Sequence, residues 1–127
     1  MAVDRFGRIY VTDSLGVPVQ VFDDRGEYVY GFGTRGEDPI GLRFPTAIHI
    51  DRYDQVWLVD TNGHTVQIFD RFGFLVRRFG EYGQMEGHLY YPIDVQIDRL
   101  GRVYLLEREG RRLQVFILDR PLARFDR

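Results

Sequence analysis

Apolar and β-branched residues in this chain come in runs of about five, cut apart by short clusters of Asp, Gly, Asn and Pro. The middle of the chain shows the pattern cleanly. Thr46 to Ile50, Gln55 to Val59, Thr65 to Phe69 and Phe74 to Phe79 read as strands. Between them stand the tight turn Asp51-Arg52-Tyr53-Asp54, the loop Asp60-Thr61-Asn62-Gly63-His64 and the turn Asp70-Arg71-Phe72-Gly73. Asp-x-x-Gly suits a type I turn closed by a left-handed residue, a common hairpin connection. Successive strands therefore form an antiparallel meander. Helical periodicity nowhere survives about 11 residues without a Gly or Pro, so almost no helix is expected. Several strands are apolar on both faces: Val19, Val21 and Phe22; Val66, Ile68 and Phe69; Leu113, Val115, Phe116 and Ile117. A sheet with one wet face would alternate. Here both faces must be covered.

The pattern is a repeat. Val3-Asp4-Arg5-Phe6-Gly7-Arg8-Ile9-Tyr10-Val11 returns as Ile50-Asp51-Arg52-Tyr53-Asp54-Gln55-Val56-Trp57-Leu58, and again as Ile97-Asp98-Arg99-Leu100-Gly101-Arg102-Val103-Tyr104-Leu105, at an offset of 47 residues each time. The columns Gly16/Gly63/Gly110, Gln20/Gln67/Gln114 and Phe22/Phe69/Phe116 keep the same spacing, and Pro45 and Pro92 open copies two and three. A unit of this length with four short strands, stacked radially so that each sheet covers its neighbour, is a propeller blade. The expected fold is an all-β β-propeller of three four-stranded antiparallel blades, spanning residues 1–44, 45–91 and 92–127.

The unit Pro-x-x-Ile/Val-x-Ile/Val-Asp-Arg-x-Gly-x-Ile/Val-Tyr-Val-x-Asp, then Val-Gln-Val-Phe-Asp and Phe-Gly-x-x-Gly, resembles the NHL repeat of β-propellers. The residues carrying the resemblance are Met1 to Gly36, Pro45 to Gly83 and Pro92 to Phe125. The family's Asn-x-Arg pair in the second loop is degraded to Gly16 and Pro18, then Gly63 and Thr65, and only Arg112 keeps its place in the third copy. The third copy also shortens its last turn, Leu118-Asp119-Arg120-Pro121. The resemblance implies a blade whose first strand is innermost. It also implies a partner-binding rim made of the loops Ser14–Pro18, Thr61–Thr65 and Arg108–Arg112 with the connections Thr34–Phe44 and Glu81–Tyr91. It says little about activity, because one fold hosts many.

Composition narrows the chemistry. The 17 basic residues are all Arg, and Cys is absent. Phosphate-loop or Schiff-base lysines, disulfides, zinc–thiolate sites and thiol catalysis are thereby excluded. A net charge of −2 and a pI near 5.9 argue against a strong grip on nucleic acid, although the Arg77-Arg78 and Arg111-Arg112 pairs have aromatic neighbours. No apolar run approaches the roughly 18 residues of a membrane span, and Met1-Ala2-Val3-Asp4-Arg5 has no signal-peptide pattern.

The columns Asp4/Asp51/Asp98 and Asp13/Asp60/Glu107 are held apart by the blade spacing and read as turn caps. Arg5, Arg52 and Arg99 read as surface or inter-blade ion partners. His49, Asp94 and Gln96 lie on first strands and line the central channel. Arg35, His64, His88, Arg111 and Arg112 fall on the partner-binding rim. Two histidines without a fixed carboxylate make a weak metal set, so neither metal nor cofactor is expected. Ser14 lacks the context of a nucleophile. The lone Asn62 leaves no converging set for a calcium-dependent lactonase. The function expected is a non-enzymatic binding or assembly module for a protein or peptide; a lactonase-type hydrolase and a single-stranded RNA binder are the alternatives.

Three blades cannot close a ring, since propellers use about four to eight. A homodimer completing six blades is expected, with Ala2, Ile9, Tyr10 and Val21 of one chain against Leu105, Leu113, Val115 and Phe116 of the other. A larger ring of chains, or blades from a separate protein, would also satisfy the exposed ends.

Overall fold

The computed structural model describes residues 1–36, 40–83, 85, 88–109 and 111–117. Eleven strands and no helix run through them. The first sheet holds β1 (Ala2–Val3), β2 (Ile9–Thr12), β3 (Val19–Phe22) and β4 (Tyr28–Phe32). The second holds β5 (Pro45–Ile50), β6 (Val56–Asp60), β7 (Thr65–Phe69) and β8 (Leu75–Phe79). The third holds β9 (Pro92–Ile97), β10 (Arg102–Glu107) and β11 (Arg112–Ile117). Neighbouring strands pair antiparallel in sequence order. The expected fourth strand of the third blade and the turn Leu118–Pro121 lie outside the described residues.

The repeat extends to backbone irregularities. Pairing slips between Val21 and Phe22 in the first sheet and between Ile68 and Phe69, the same column, in the second. The turns repeat too. Asp4 Oδ1 accepts the backbone N–H of Phe6 and Arg8 at 2.8 and 3.0 Å, and Asp51 and Asp98 do the same for Tyr53 and Gln55 and for Leu100 and Arg102. The other carboxylate oxygen takes a polar hydrogen from the next strand: Tyr10 Oη to Asp4, Trp57 Nε1 to Asp51 and Tyr104 Oη to Asp98, each at 2.9 Å. These carboxylates tie a turn to a strand. They are structural groups.

Two apolar layers hold the sheets face to face. Tyr10, Val19, Val21, Phe32 and Leu42 meet Ile48, Val56, Leu58 and Phe69 between blades 1 and 2. Trp57, Val59, Val66, Ile68 and Leu89 meet Val95, Val103 and Leu105 between blades 2 and 3. Both faces of β6 and β7 are accordingly buried at every position, the polar Asp60, Thr65 and Gln67 included. Polar ties cross the same junctions. Arg5 Nε donates to Asp54 at 2.7 Å, and Arg52 Nη1 to the Arg99 carbonyl at 3.1 Å.

The phase of the end strands corrects one expectation. Tyr10 and Val21 face blade 2, Ala2 packs against the same layer, and Leu105 faces blade 2 from the other side. These four residues are therefore already covered within the chain. The outward faces carry Ile9, Val11 and Phe22 at one end and Tyr104, Leu106, Leu113 and Val115 at the other.

Candidate functional site

One rim of the blades gathers the β2–β3, β6–β7 and β10–β11 loops with the two connections between blades. Its framework is the Asp13/Asp60/Glu107 column. Asp60, fully buried, accepts the backbone N–H of Arg43 at 2.9 Å and of Phe44 at 2.7 Å. Glu107, equally buried, accepts the N–H of Tyr90 at 3.0 Å, with Arg112 and Gln114 completing its shell. Burial opposes ionisation of Glu107, but these donors hold its carboxyl below the usual range. Each incoming connection is thus pinned by a carboxylate of the next blade. A second tie repeats: Thr61 N–H to the Phe44 carbonyl, Arg108 N–H to that of Tyr91. Within each connection a parallel bridge, Arg35 to Leu42 and Tyr82 to Leu89, folds the loop so that its leucine is buried.

On the second of these frames stands an aromatic cluster. The His64 ring lies 4.5 Å from Tyr82 and 4.6 Å from Tyr91, edge-on to both, and 6.4 Å from Tyr90 in a stacked pose. Tyr90 contacts Tyr82 and Tyr91 at 5.5 and 5.0 Å. The Arg108 guanidinium sits 5.5 Å over the Tyr91 ring. His64 Nδ1 accepts the Tyr91 N–H at 3.1 Å, which fixes its tautomer with the proton on Nε2. Burial lowers the imidazole below its ordinary value, with Asp60 opposing and Arg43 assisting. His64 and Tyr91 adopt φ of 56° and 52°, so both rings are held by a left-handed backbone. Tyr82 is 62% exposed and presents the cluster to solvent.

The other rim residues singled out in the sequence have varied settings. His88 lies 3.4 Å from Glu81 through Nε2, and its carbonyl accepts Arg112 Nη2 and Gln114 Nε2. Arg112 is engaged by Glu107 and that carbonyl, so it braces the rim. Arg35 is exposed and reaches the Gly16 carbonyl at 3.5 Å. Arg111 stands exposed in the β10–β11 loop at φ 49°. His64 and His88 belong to different clusters, and no group of three or more His, Asp or Glu side chains able to hold a metal occurs among the described residues. On the inner strands, His49 is half-buried with Asp51 and Asp94 near enough to oppose the lowering of its pKa by burial. Asp94 and Gln96 are exposed on β9.

Sequence reasoning placed His64 on the rim and missed Tyr82, Tyr90, Tyr91 and Arg108. The signal is in the repeat. At the corresponding positions of the preceding copy stand Arg35, Arg43, Phe44 and Thr61, and Val17 stands opposite His64. At Tyr82, Tyr90 and His64 a ring replaces a non-aromatic residue of the preceding copy.

No family model and no curated protein matches the chain. Solved structures do. A streptogramin B lyase is 12% identical with a TM-score of 0.56 over 92% of this chain. Virginiamycin B lyase from Staphylococcus aureus is 10% identical with a TM-score of 0.61 over 93%. A catalytically inactive variant of the latter enzyme, with quinupristin, is 15% identical with a TM-score of 0.62 over 94%. The chain spans 39%, 40% and 41% of the length of those proteins. At such identities the likeness concerns the fold, and the chain has a β-propeller-like fold.

Proposed function

We propose that this chain is a non-enzymatic binding module that presents the rim around His64 to a protein or peptide partner. The exposed Tyr82 on the His64–Tyr90–Tyr91 cluster carries the reading. Tyrosine and histidine rings offer large amphipathic area at little entropic cost, and such residues anchor interfaces. The pins from Asp60 and Glu107 hold the connections in place, so little ordering remains to be done on binding. The cluster and Arg108 suit a segment bearing aromatic, proline or arginine side chains, which can stack on tyrosine faces. The rim carboxylates Asp60 and Glu107 are occupied by backbone and side-chain donors, and His64 Nδ1 by the Tyr91 N–H. None is poised as a free general base. The NHL-like repeat supports the same use of this rim.

Selection of peptides from a display library on the 127-residue chain tests the reading. Enriched peptides are expected to lose at least 10-fold in affinity on Tyr82→Ala, about 1.4 kcal/mol. Binding that ignores Tyr82→Ala and Tyr90→Ala would overturn it. So would turnover of a streptogramin B or a simple lactone, or salt-sensitive binding to single-stranded RNA in place of peptide.

A further inference from the structure

The two end faces of the chain are copies of faces that already fit each other inside it. On blade 2, Val59, Val66 and Ile68 are fully buried because blade 3 lays Val95, Val103 and Leu105 against them. At an offset of 47 residues the same face of blade 3 carries Leu106, Leu113 and Val115, which are 41%, 58% and 51% exposed. The opposite face of blade 2, with Val56, Leu58 and Phe69, is covered by blade 1. Its counterpart on blade 1, with Ile9, Val11 and Phe22, is only half-buried. Blade 3 therefore ends in the donor half of the internal junction, and blade 1 begins with the acceptor half.

We infer that these faces join in a second copy of the chain, blade 3 of each copy on blade 1 of the other about a two-fold axis, closing one ring of six blades. Propellers hold about four to eight blades, and two copies of these 127 residues supply six. The column of polar ties runs the same way: Arg5 reaches Asp54, Arg52 reaches the Arg99 carbonyl, and Arg99, next in the column, stands exposed. The junction also covers an apolar surface of the kind that marks an interaction site when left exposed. Closure gives the inner strands a complete wall, so the channel carrying His49, Asp94 and Gln96 is lined by both copies. This inference does not depend on the rim's partner.

Light scattering and sedimentation equilibrium at micromolar concentration test it. The expected mass is about 30 kDa, twice the 15.0 kDa of one chain. Leu113→Glu places an unpaired carboxylate in both junctions and is expected to weaken association at least 100-fold. Val11→Lys should do the same from the other face. Mixing the two variants is expected to restore dimers of one copy of each, because one junction is then unsubstituted and the other pairs Glu with Lys. Leu15→Glu, in the exposed β2–β3 loop, should leave the mass unchanged. A wild-type mass of one chain with a cooperative melt, a mass of three or more chains, or a dimer indifferent to both Leu113→Glu and Val11→Lys overturns the inference.

Discussion

Arg5 reaches from the first turn of blade 1 to Asp54 in the corresponding turn of blade 2, Nε to Oδ2 at 2.7 Å. Asp54 adopts φ 64° where Gly7 and Gly101 occupy the same column at 84° and 85°. A left-handed conformation suits glycine, is tolerated by aspartate and is costly for residues that lack a compensating side chain. Asp54 trades backbone ease for a tie between blades. Asp54→Gly is therefore expected to leave stability within about 0.5 kcal/mol of wild type, the released strain offsetting the lost pair. Asp54→Ala loses the pair and keeps the strain, for a cost of about 1–2 kcal/mol. Urea midpoints of the two variants check the order.

Gly80 and Gly26 separate strain from crowding. Both have positive φ, 104° and 86°, but a Cβ on Gly80 would meet Leu89 Cδ1 at 2.5 Å and the His64 carbonyl at 2.9 Å, whereas one on Gly26 meets nothing. Gly26→Ala is expected to cost about 1 kcal/mol. Gly80→Ala should cost roughly 2–4 kcal/mol and disturb the His64–Tyr82 packing, seen as a change in near-ultraviolet circular dichroism of the tyrosines.

The buried Tyr10 hydroxyl serves Asp4, whose side chain is wholly inaccessible. Removing it leaves that carboxylate short of a donor, so Tyr10→Phe is expected to destabilise by about 1–2 kcal/mol with no change in volume. Chemical denaturation of the variant measures this directly. Tyr104→Phe, whose acceptor Asp98 is partly exposed, should cost less.

Acid should weaken the fold in two stages. Burial, the largest influence on His64 and His49, lowers both imidazoles in the native state from their ordinary 6.5. The unfolded chain then takes up the proton first, and stability begins to fall as pH drops below about 6.5. Carboxylates act lower. Burial opposes ionisation of Asp98, but hydrogen bonds from Arg102, Tyr104 and Leu100 prevail and hold it at about 2; Asp4 is likewise lowered. Their stabilisation is complete above the unfolded value of 3.8 and is lost as pH falls through their lowered native values, about 2 for Asp98. Melting temperature against pH should show both steps, and Asp98→Asn should flatten the lower one.

The repeat was legible because each column meets the same surroundings in every blade. Tyr10, Trp57 and Tyr104 all hand a polar hydrogen to the aspartate that opens the preceding turn, so their spacing announces the fold. The phase of the strands was less legible. Where both faces of a strand are apolar, a period of two says nothing about which face looks toward which neighbour. Tyr10, Val21 and Leu105 were accordingly assigned to the chain's ends when they fill its interior. The rim cluster was hidden for the opposite reason. Tyr82, Tyr90 and His64 replace Arg35, Arg43 and Val17 of the previous copy, and a column without recurrence carries no period to read. Only folding of the connection around Leu89 brings the rings together.

Blade 2 touches a neighbour on each side, while blades 1 and 3 have one apiece within the chain. Stability in such an array is a sum over units and the junctions between them, so the chain behaves as a short one-dimensional lattice. In a chain parted from its second copy, amide hydrogens of β6 and β7 are then the last to exchange, since releasing them requires both junctions to part, and those of β2 and β11 open with the loss of one. The buried Trp57 lies at the second junction, which makes its fluorescence an optical readout of that single step. Unfolding of that single chain should travel inward from the ends, and the central blade should keep its protons longest.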